Sequence, residues 1–123
     1  MACRAQFATP TPKYMQGWNE THTVFHCPDG QEEIAADAFR GSELEEIYIS
    51  KSVKYIGKAA FYGCKHLREV IFADGSVLKE VAGWAFAHCE SLASLCLPAD
   101  VMRIGESCFL GSGLQALLVP AKV

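Results

Sequence analysis

The sequence predicts an α/β solenoid in which short parallel strands stack into a curved sheet, with short helical or 3₁₀ turns on the other side. The first observation is an internal repeat: similar segments are centred on Phe39, Phe61, Phe86 and Phe109, at intervals of 22, 25 and 23 residues. The second is that each repeat begins with helix-like spacing of its apolar residues and ends with strand-like alternation. A unit this short cannot bury a core alone, but stacked copies can.

Small residues come first in each repeat. The position four residues before each phenylalanine holds Ala35, Gly57, Ala82 or Gly105, and the position one before it holds Ala38, Ala60, Ala85 or Cys108. Small side chains allow neighbouring coils to pack closely, so Cys108 is predicted to fill a buried alanine position. The position three residues after each phenylalanine holds Ser42, Cys64, Cys89 or Ser112, preceded by glycine in three repeats, which predicts a turn.

A strand follows in each repeat, with the pattern Leu-x-x-apolar-x-apolar. Its members are Leu44, Ile47 and Ile49; Leu67, Val70 and Phe72; Leu92, Leu95 and Leu97; and Leu114, Leu117 and Val119. The last two positions alternate as in a strand with one buried side. A second apolar pair closes each coil: Val53 with Ile56, Leu78 with Val81, and Val101 with Ile104. Two extra residues in the stretch from Ala73 to Val81 fit a turn at Asp74–Gly75.

The stretch "LREVIF…VLKEVAGWAFAHCESLASLCLPADVMRIGESCF" closely resembles the BspA-type leucine-rich repeat. Units of that family run approximately L-x-x-I-x-I-P-x-x-V-x-x-I-G-x-x-A-F-x-x-C. The resemblance covers residues 34–123 and extends weakly to "THTVFHCPDGQEE", where Phe25 and Cys27 fall at strand positions. Ser42 and Ser112 depart from the family cysteine. The resemblance implies a leucine-rich-repeat solenoid and a role in surface adhesion or recognition of host or matrix proteins.

Two segments are predicted. Residues 1–21 form an N-terminal segment or cap, in which Phe7, Tyr14, Met15 and Trp18 are candidates to cover the first coil. Residues 22–123 form the solenoid, with about four to five coils and the last one incomplete. Val123 falls in the column of Val53 and Val101, so the chain stops inside a repeat. This predicts either a longer repeat array or a homodimer formed through the exposed C-terminal coil.

Composition limits the classes of partner. The formal net charge is −3, which gives no electrostatic reason to expect nucleic acid or anionic lipid. No apolar run approaches the roughly 18 residues of a membrane span. The first residues also lack the apolar core of a secretory signal. The family resemblance implies a cell-surface or secreted protein, whereas the missing signal leaves the cytoplasm as the alternative.

The outward residues of the strands should form two columns, because neighbouring strands lie about 4.8 Å apart. We call the first the Glu46 column: Val24, Glu46, Glu69, Ser94 and Ala116. We call the second the apolar column: His26, Tyr48, Ile71, Cys96 and Leu118. An exposed apolar row predicts a contact surface for a protein ligand, with His26, Tyr48, Ile71, Cys96 and Leu118 joined by Glu46, Glu69 and Ser94. Pairing with another copy, or cover by the N-terminal segment, explains the row equally well.

Cys64 and Cys89 occupy equivalent positions in adjacent coils, at a spacing compatible with a disulfide. Packing as free buried thiols is the favoured interpretation, because no targeting signal indicates an oxidising compartment. His66 and His88 stand close to these cysteines, yet no C-x-x-C or H-x-x-x-H pair occurs, so no metal site and no cofactor are predicted.

Catalysis is not predicted. A cysteine or serine nucleophile needs a base within hydrogen-bond reach, and the repeat itself accounts for the candidate cysteines. The acidic cluster Glu43, Glu45 and Glu46 is interpreted as a solvated rim that would steer a basic partner. The favoured function is a non-catalytic protein-binding module, and the alternative is an intracellular scaffold or self-assembly domain.

Overall fold

The computed structural model describes residues 23–118. The predicted cap residues Phe7, Tyr14, Met15 and Trp18, and Val123 at the other end, lie outside this range. The strands are β1 (Val24–His26), β2 (Glu33–Ile34), β3 (Glu46–Ile49), β4 (Tyr55–Ile56), β5 (Glu69–Phe72), β6 (Glu80–Val81), β7 (Ser94–Cys96), β8 (Arg103–Ile104) and β9 (Ala116–Leu118). These strands form a parallel-strand solenoid of about four turns, as the repeat predicts.

Each coil contributes one longer and one shorter strand, and the two kinds form separate sheets. The longer strands pair in the orders β1–β3–β5 and β7–β9, and the shorter ones in the order β2–β4–β6–β8. All pairs are parallel and in the register that the repeat predicts, with Ile47 opposite Val70 and Ile56 opposite Val81. The weak first repeat is in register too, since Phe25 lies opposite Ile47.

The core lies between the sheets and the turns, and the four repeat phenylalanines form its spine. Their ring centroids are 5.4 Å apart for Phe39 and Phe61, 5.1 Å for Phe61 and Phe86, and 5.9 Å for Phe86 and Phe109. Successive rings are within 8° of parallel. The first three rings are completely buried, whereas Phe109 is half-buried. A single stacked row of aromatic side chains therefore links the described coils.

The prediction of short helical or 3₁₀ turns was wrong: residues 23–118 contain no helix. Backbone hydrogen bonding explains the difference. In the first complete coil, the N–H groups of Asp37, Phe39 and Gly41 donate to carbonyls of the next coil, at 2.7–3.0 Å. The intervening N–H groups donate to the carbonyl three residues earlier in their own coil. Because alternate amides bond between coils, the turns form a third inter-coil ladder, and a continuous helical hydrogen-bond pattern is excluded.

Left-handed backbone conformations make this alternation possible. The residue two before each repeat phenylalanine has a positive φ: 60° at Asp37, 56° at Ala59, 63° at Trp84 and 53° at Ser107. The residue two after it is also left-handed, and it is glycine in three coils but His88, at 59°, in the other. Residues other than glycine are disfavoured in this conformation, because their Cβ atom lies too close to the following carbonyl oxygen. Contacts between coils therefore maintain a backbone that the local sequence alone does not favour.

Pairing of the longer strands is interrupted between β5 and β7. This break adjoins the coil that carries the two extra residues, in the loop from Ala73 to Val77 with Gly75 at a φ of 79°. The two coils remain joined elsewhere. Ser91 Oγ donates to the Lys65 carbonyl at 2.7 Å, and the Phe61 N–H donates to the Ala85 carbonyl at 2.8 Å. The break therefore separates the strands without separating the coils.

Candidate protein-binding face

The two predicted columns exist on the outer side of the longer strands. Strand register places Glu46 opposite Glu69 and Tyr48 opposite Ile71. It also places His26 opposite Tyr48, and Cys96 opposite Leu118. The inward neighbours Phe25, Ile47, Val70 and Leu95 are at most 9% exposed. Alternation along each strand thus separates the core from an outward face, as two-residue periodicity requires.

The apolar column begins with an aromatic stack. The rings of His26 and Tyr48 are 4.4 Å apart and within 3° of parallel. The Tyr48 hydroxyl lies 3.4 Å from Glu46 Oε1, and the charge of Glu46 raises the pKa of Tyr48 above its ordinary value. Tyr48 is therefore a neutral phenol at neutral pH. Ile71 follows in the next coil and is 36% exposed, a large fraction for an isoleucine.

The remaining members of the column are separated from Ile71 by the break between β5 and β7. Cys96 is exposed and Ser94 beside it is also exposed. Leu118 continues the column through its backbone position opposite Cys96. The structure thus brings His26, Tyr48 and Ile71 together on one paired sheet, and Cys96 and Leu118 together on another.

The acidic rim contains an ion-pair network. Arg68 donates to Glu46 Oε2 from both terminal nitrogens, at 3.2 and 2.8 Å, and approaches Glu45 Oε1 at 3.6 Å. His66 Nε2 lies 3.3 Å from Glu43 Oε1. Apart from Glu46, whose side chain is 20% exposed, the paired groups are largely exposed, and each pair contributes little to stability. Their main consequence is that Arg68 is held by Glu45 and Glu46, while Glu69, next in the column, is exposed.

The cysteines predicted to pack in the turns are buried free thiols. Cys64 Sγ donates to the Phe39 carbonyl at 2.9 Å, and Cys89 Sγ donates to the Phe61 carbonyl at 3.1 Å. Burial raises the pKa of Cys64 to about 11 and that of Cys89 higher still, so both are protonated. Cys108 is 3% exposed, in agreement with its predicted alanine position. A disulfide between Cys64 and Cys89, the less favoured interpretation of their equivalent positions, would replace both hydrogen bonds.

Thiol reactivity should follow this burial. In the native protein at about pH 8, we expect iodoacetamide to modify Cys96 readily and Cys64, Cys89 and Cys108 only after unfolding, because the thiolate is the nucleophile. Peptide mass mapping of native and denatured samples would measure this. Rapid native labelling of Cys64 would contradict the buried turn. Absence of labelling at Cys64 and Cys89 even after denaturation without reductant would reveal the disulfide.

No cluster of three or more metal-ligating side chains occurs among residues 23–118. Within the same range, no helix has the length and apolar character needed to cross a membrane.

A cluster of side chains on the turn side was not predicted. The Arg40 guanidinium lies over the Tyr62 ring at 4.4 Å, and Tyr62 also contacts Trp84 and His88, with centroids 6.2 and 5.2 Å away. Arg40 additionally pairs with Asp37 at 3.2 Å. Arg40 and Tyr62 each directly follow a repeat phenylalanine, so the repeat itself places them at equivalent positions of adjacent coils. Trp84 and His88, two residues before and after Phe86, complete the cluster from the next coil. We expect cation–π and aromatic contacts here to stabilise adjacent coils.

Comparison with known proteins agrees with the geometry. The family described as "BspA type Leucine rich repeat region" matches residues 21–123, with six copies. The chain belongs to the BspA-type leucine-rich repeat family. No curated protein matches the chain significantly.

Solved structures of leucine-rich repeat proteins share this fold. The pneumococcal vaccine antigen PcpA is 35% identical, with a TM-score of 0.67, over 73% of this chain and 22% of PcpA. A leucine-rich repeat protein from Bacteroides capillosus ATCC 29799 is 24% identical, with a TM-score of 0.73, over 88% of this chain and 84% of that one. A leucine-rich cell surface protein from Faecalibacterium prausnitzii A2-165 is 22% identical, with a TM-score of 0.60, over 83% of this chain and 37% of that one. This BspA-type chain thus spans less than a quarter of the length of PcpA.

Proposed function

We propose that this BspA-type chain is a non-catalytic protein-binding module that acts in surface adhesion or recognition. The observation that carries this proposal is the apolar column: stacked His26 and Tyr48, followed by exposed Ile71, on a regular sheet. Aromatic and aliphatic side chains on a rigid surface bind a partner at a small cost in conformational entropy. The binding face comprises His26, Glu46, Tyr48, Glu69, Ile71, Ser94, Cys96 and Leu118.

Similar proteins support a surface role. PcpA is described as a vaccine antigen, and the Faecalibacterium prausnitzii protein as a cell surface protein. The chemistry of the cysteines supports a non-catalytic role, since burial keeps Cys64 and Cys89 protonated and a thiol nucleophile must ionise. We therefore place adhesion or recognition ahead of catalysis.

Substitution of the apolar column tests the proposal. We expect the double variant Tyr48→Asp/Ile71→Asp to lose affinity for a captured protein ligand by about thirtyfold or more, because charged side chains would replace central apolar contacts. Affinity capture from extracellular-matrix and host-cell extracts, followed by titration of the ligand obtained, would measure the loss. Circular dichroism should show an unchanged fold, since both side chains point outward.

A matched control is available on the other sheet. Tyr55 is 46% exposed and Met102 is 58% exposed, so Tyr55→Asp/Met102→Asp introduces the same charges on a different surface. This control should bind like the wild type. Equal binding by all three proteins would exclude the apolar column as the contact surface.

The alternative function is an intracellular scaffold or self-assembly domain. The observation that favours it is that Leu117, in the last described strand, is 37% exposed. Sedimentation velocity distinguishes it from recognition of another protein. A concentration-dependent dimer that Leu117→Asp dissociates would support self-assembly through the C-terminal coil. A wild-type protein that remains monomeric at high concentration would exclude the homodimer.

A further inference from the structure

Two cavities line the ends of the longer strands, next to the apolar column. The first, of about 130 Å³, is lined by His26, Tyr48 and Ile71 on one side and by Asp29 on the other. The second, of about 440 Å³, lies at the break between β5 and β7. Both cavities include Ala73 in their lining, so they adjoin, and we call the two together the strand-end groove.

The two walls of the strand-end groove differ in chemistry. The wall nearest the sheet is the apolar column, represented by Tyr48 and Ile71 in the first cavity and by Cys96 in the second. The opposite wall consists of the loops that leave the strands. These loops place Asp29 in the first cavity, and Asp74 and Asp100 in the second.

Carboxylates predominate in the lining of the groove. Neither cavity has a lysine or an arginine in its lining, whereas the three aspartates lie in three of its coils. Across the apolar column, Glu69 adds another exposed carboxylate. Arg68, the nearest arginine along the chain, is held by Glu45 and Glu46. The groove is therefore an apolar strip between carboxylates, and it should repel nucleic acid and other anions.

Most of the described cations lie elsewhere on the molecule. The exception is Lys51, an exposed residue of the loop in the coil between those of Asp29 and Asp74, although it lines neither cavity. Lys54, Lys79 and Arg103 lie in or directly before strands of the β2–β4–β6–β8 sheet. Lys58 and Lys65 lie in the turns. This separation means that the acidic character of the groove exceeds what a net charge of −3 would give if it were evenly distributed.

We propose that the strand-end groove binds an extended polypeptide segment in which basic side chains alternate with apolar ones. Successive side chains of an extended chain point to opposite sides, which matches a groove with one apolar wall and one wall in which carboxylates predominate. The distance from the coil of Asp29 to that of Asp100 is three coil spacings, about 14 Å, which an extended segment of about five residues covers. The inference rests on the proposed function and specifies the partner of the same face.

Defined peptides provide the test. The probes are fluorescein-labelled ten-residue peptides that alternate Lys with Val, and matched peptides in which Gln or Glu replaces every Lys. We expect the Lys/Val peptide to bind about tenfold more tightly than the Gln/Val peptide, and the Glu/Val peptide not to bind. Raising NaCl from about 50 mM to about 500 mM should weaken the Lys/Val complex several-fold, since salt screens exposed charges. Fluorescence anisotropy measures each affinity.

Variants locate the peptide. Asp29→Asn/Asp74→Asn should weaken Lys/Val binding by about tenfold, because it neutralises one carboxylate in each cavity without changing shape. The control Glu90→Gln/Glu106→Gln removes the same charge from exposed turn positions and should bind like the wild type. An equal effect of both double variants would show that net charge, rather than the groove, attracts the peptide and would overturn the inference.

The test separates the two proposals. If the Gln/Val peptide binds as tightly as the Lys/Val peptide, or if no peptide binds, the basic partner is wrong. A protein ligand whose affinity depends on Tyr48 and Ile71 would then still support the proposed function. If Tyr48→Asp/Ile71→Asp leaves ligand affinity unchanged while Asp29→Asn/Asp74→Asn weakens the peptide complex, the groove binds basic segments and the apolar column is not the adhesive surface.

Discussion

Replacing Phe61 with alanine is expected to lower the free energy of unfolding by about 3–5 kcal/mol, the cost of truncating a fully buried aromatic side chain. The Phe61 ring is completely buried and stacks on Phe39 at 5.4 Å and on Phe86 at 5.1 Å. Its loss would leave a cavity in the middle of the spine. Because a solenoid coil contacts only its neighbours, that cavity also weakens the contact between the two halves of the array.

Urea denaturation followed by far-UV circular dichroism would measure this loss. A matched variant is Phe109→Ala, since Phe109 is half-buried and stacks on Phe86 at 5.9 Å, with no described ring on its other side. Its cost should be clearly smaller. If the two substitutions destabilise the protein equally, the stacked spine is not what holds the coils together.

Replacing Gly57 with alanine is expected to cost about 1–3 kcal/mol through overpacking. A methyl group at this position would lie 2.5 Å from the Ala36 nitrogen and 2.8 Å from the Ala35 carbonyl carbon. Both are backbone atoms of the preceding coil, and the Gly57 N–H donates to the Ile34 carbonyl at 2.7 Å, so the coils cannot separate without losing a hydrogen bond. Differential scanning calorimetry should show a lower midpoint of thermal unfolding.

Gly83→Ala is the control for close approach. Its added methyl group would lie 3.1 Å from the Glu106 carbonyl oxygen, a distance that a shift of a few tenths of an ångström relieves. We therefore expect Gly83→Ala to cost less than Gly57→Ala. The reverse order would mean that the coils are less tightly packed at Gly57 than the structure indicates.

Much of the fold could be predicted because each position of the repeat holds the same kind of residue in every coil. Phe39 and Phe61 recur with the small residues that close packing needs, and the structure stacks them as predicted. The binding-face register also followed from the repeat, since Tyr48 and Ile71 occupy equivalent strand positions. A periodic sequence predicts periodic structure because equivalent side chains face equivalent neighbours.

The groove could be predicted only in part. Asp29 and Asp74 occupy the same repeat position, two residues after Cys27 and Phe72, but the intervening coil has Lys51 there, so the repeat predicts no continuous acidic row. The cavities themselves depend on the path of the loops and on the break between β5 and β7. The contact of Arg40 with Tyr62 was also missed, although both residues directly follow a repeat phenylalanine and so share a position in adjacent coils.

By itself the sequence determined the solenoid, its strand register, its phenylalanine spine and the side of each strand that faces outward, because each of these depends on a residue type repeated at a fixed position. The tertiary structure decided that the turns are not helical. Local spacing around Phe39 favours a helical turn, but N–H groups of Asp37 and Gly41 bond to the adjacent coil instead. That choice depends on hydrogen-bond partners more than 20 residues away, which no local pattern contains.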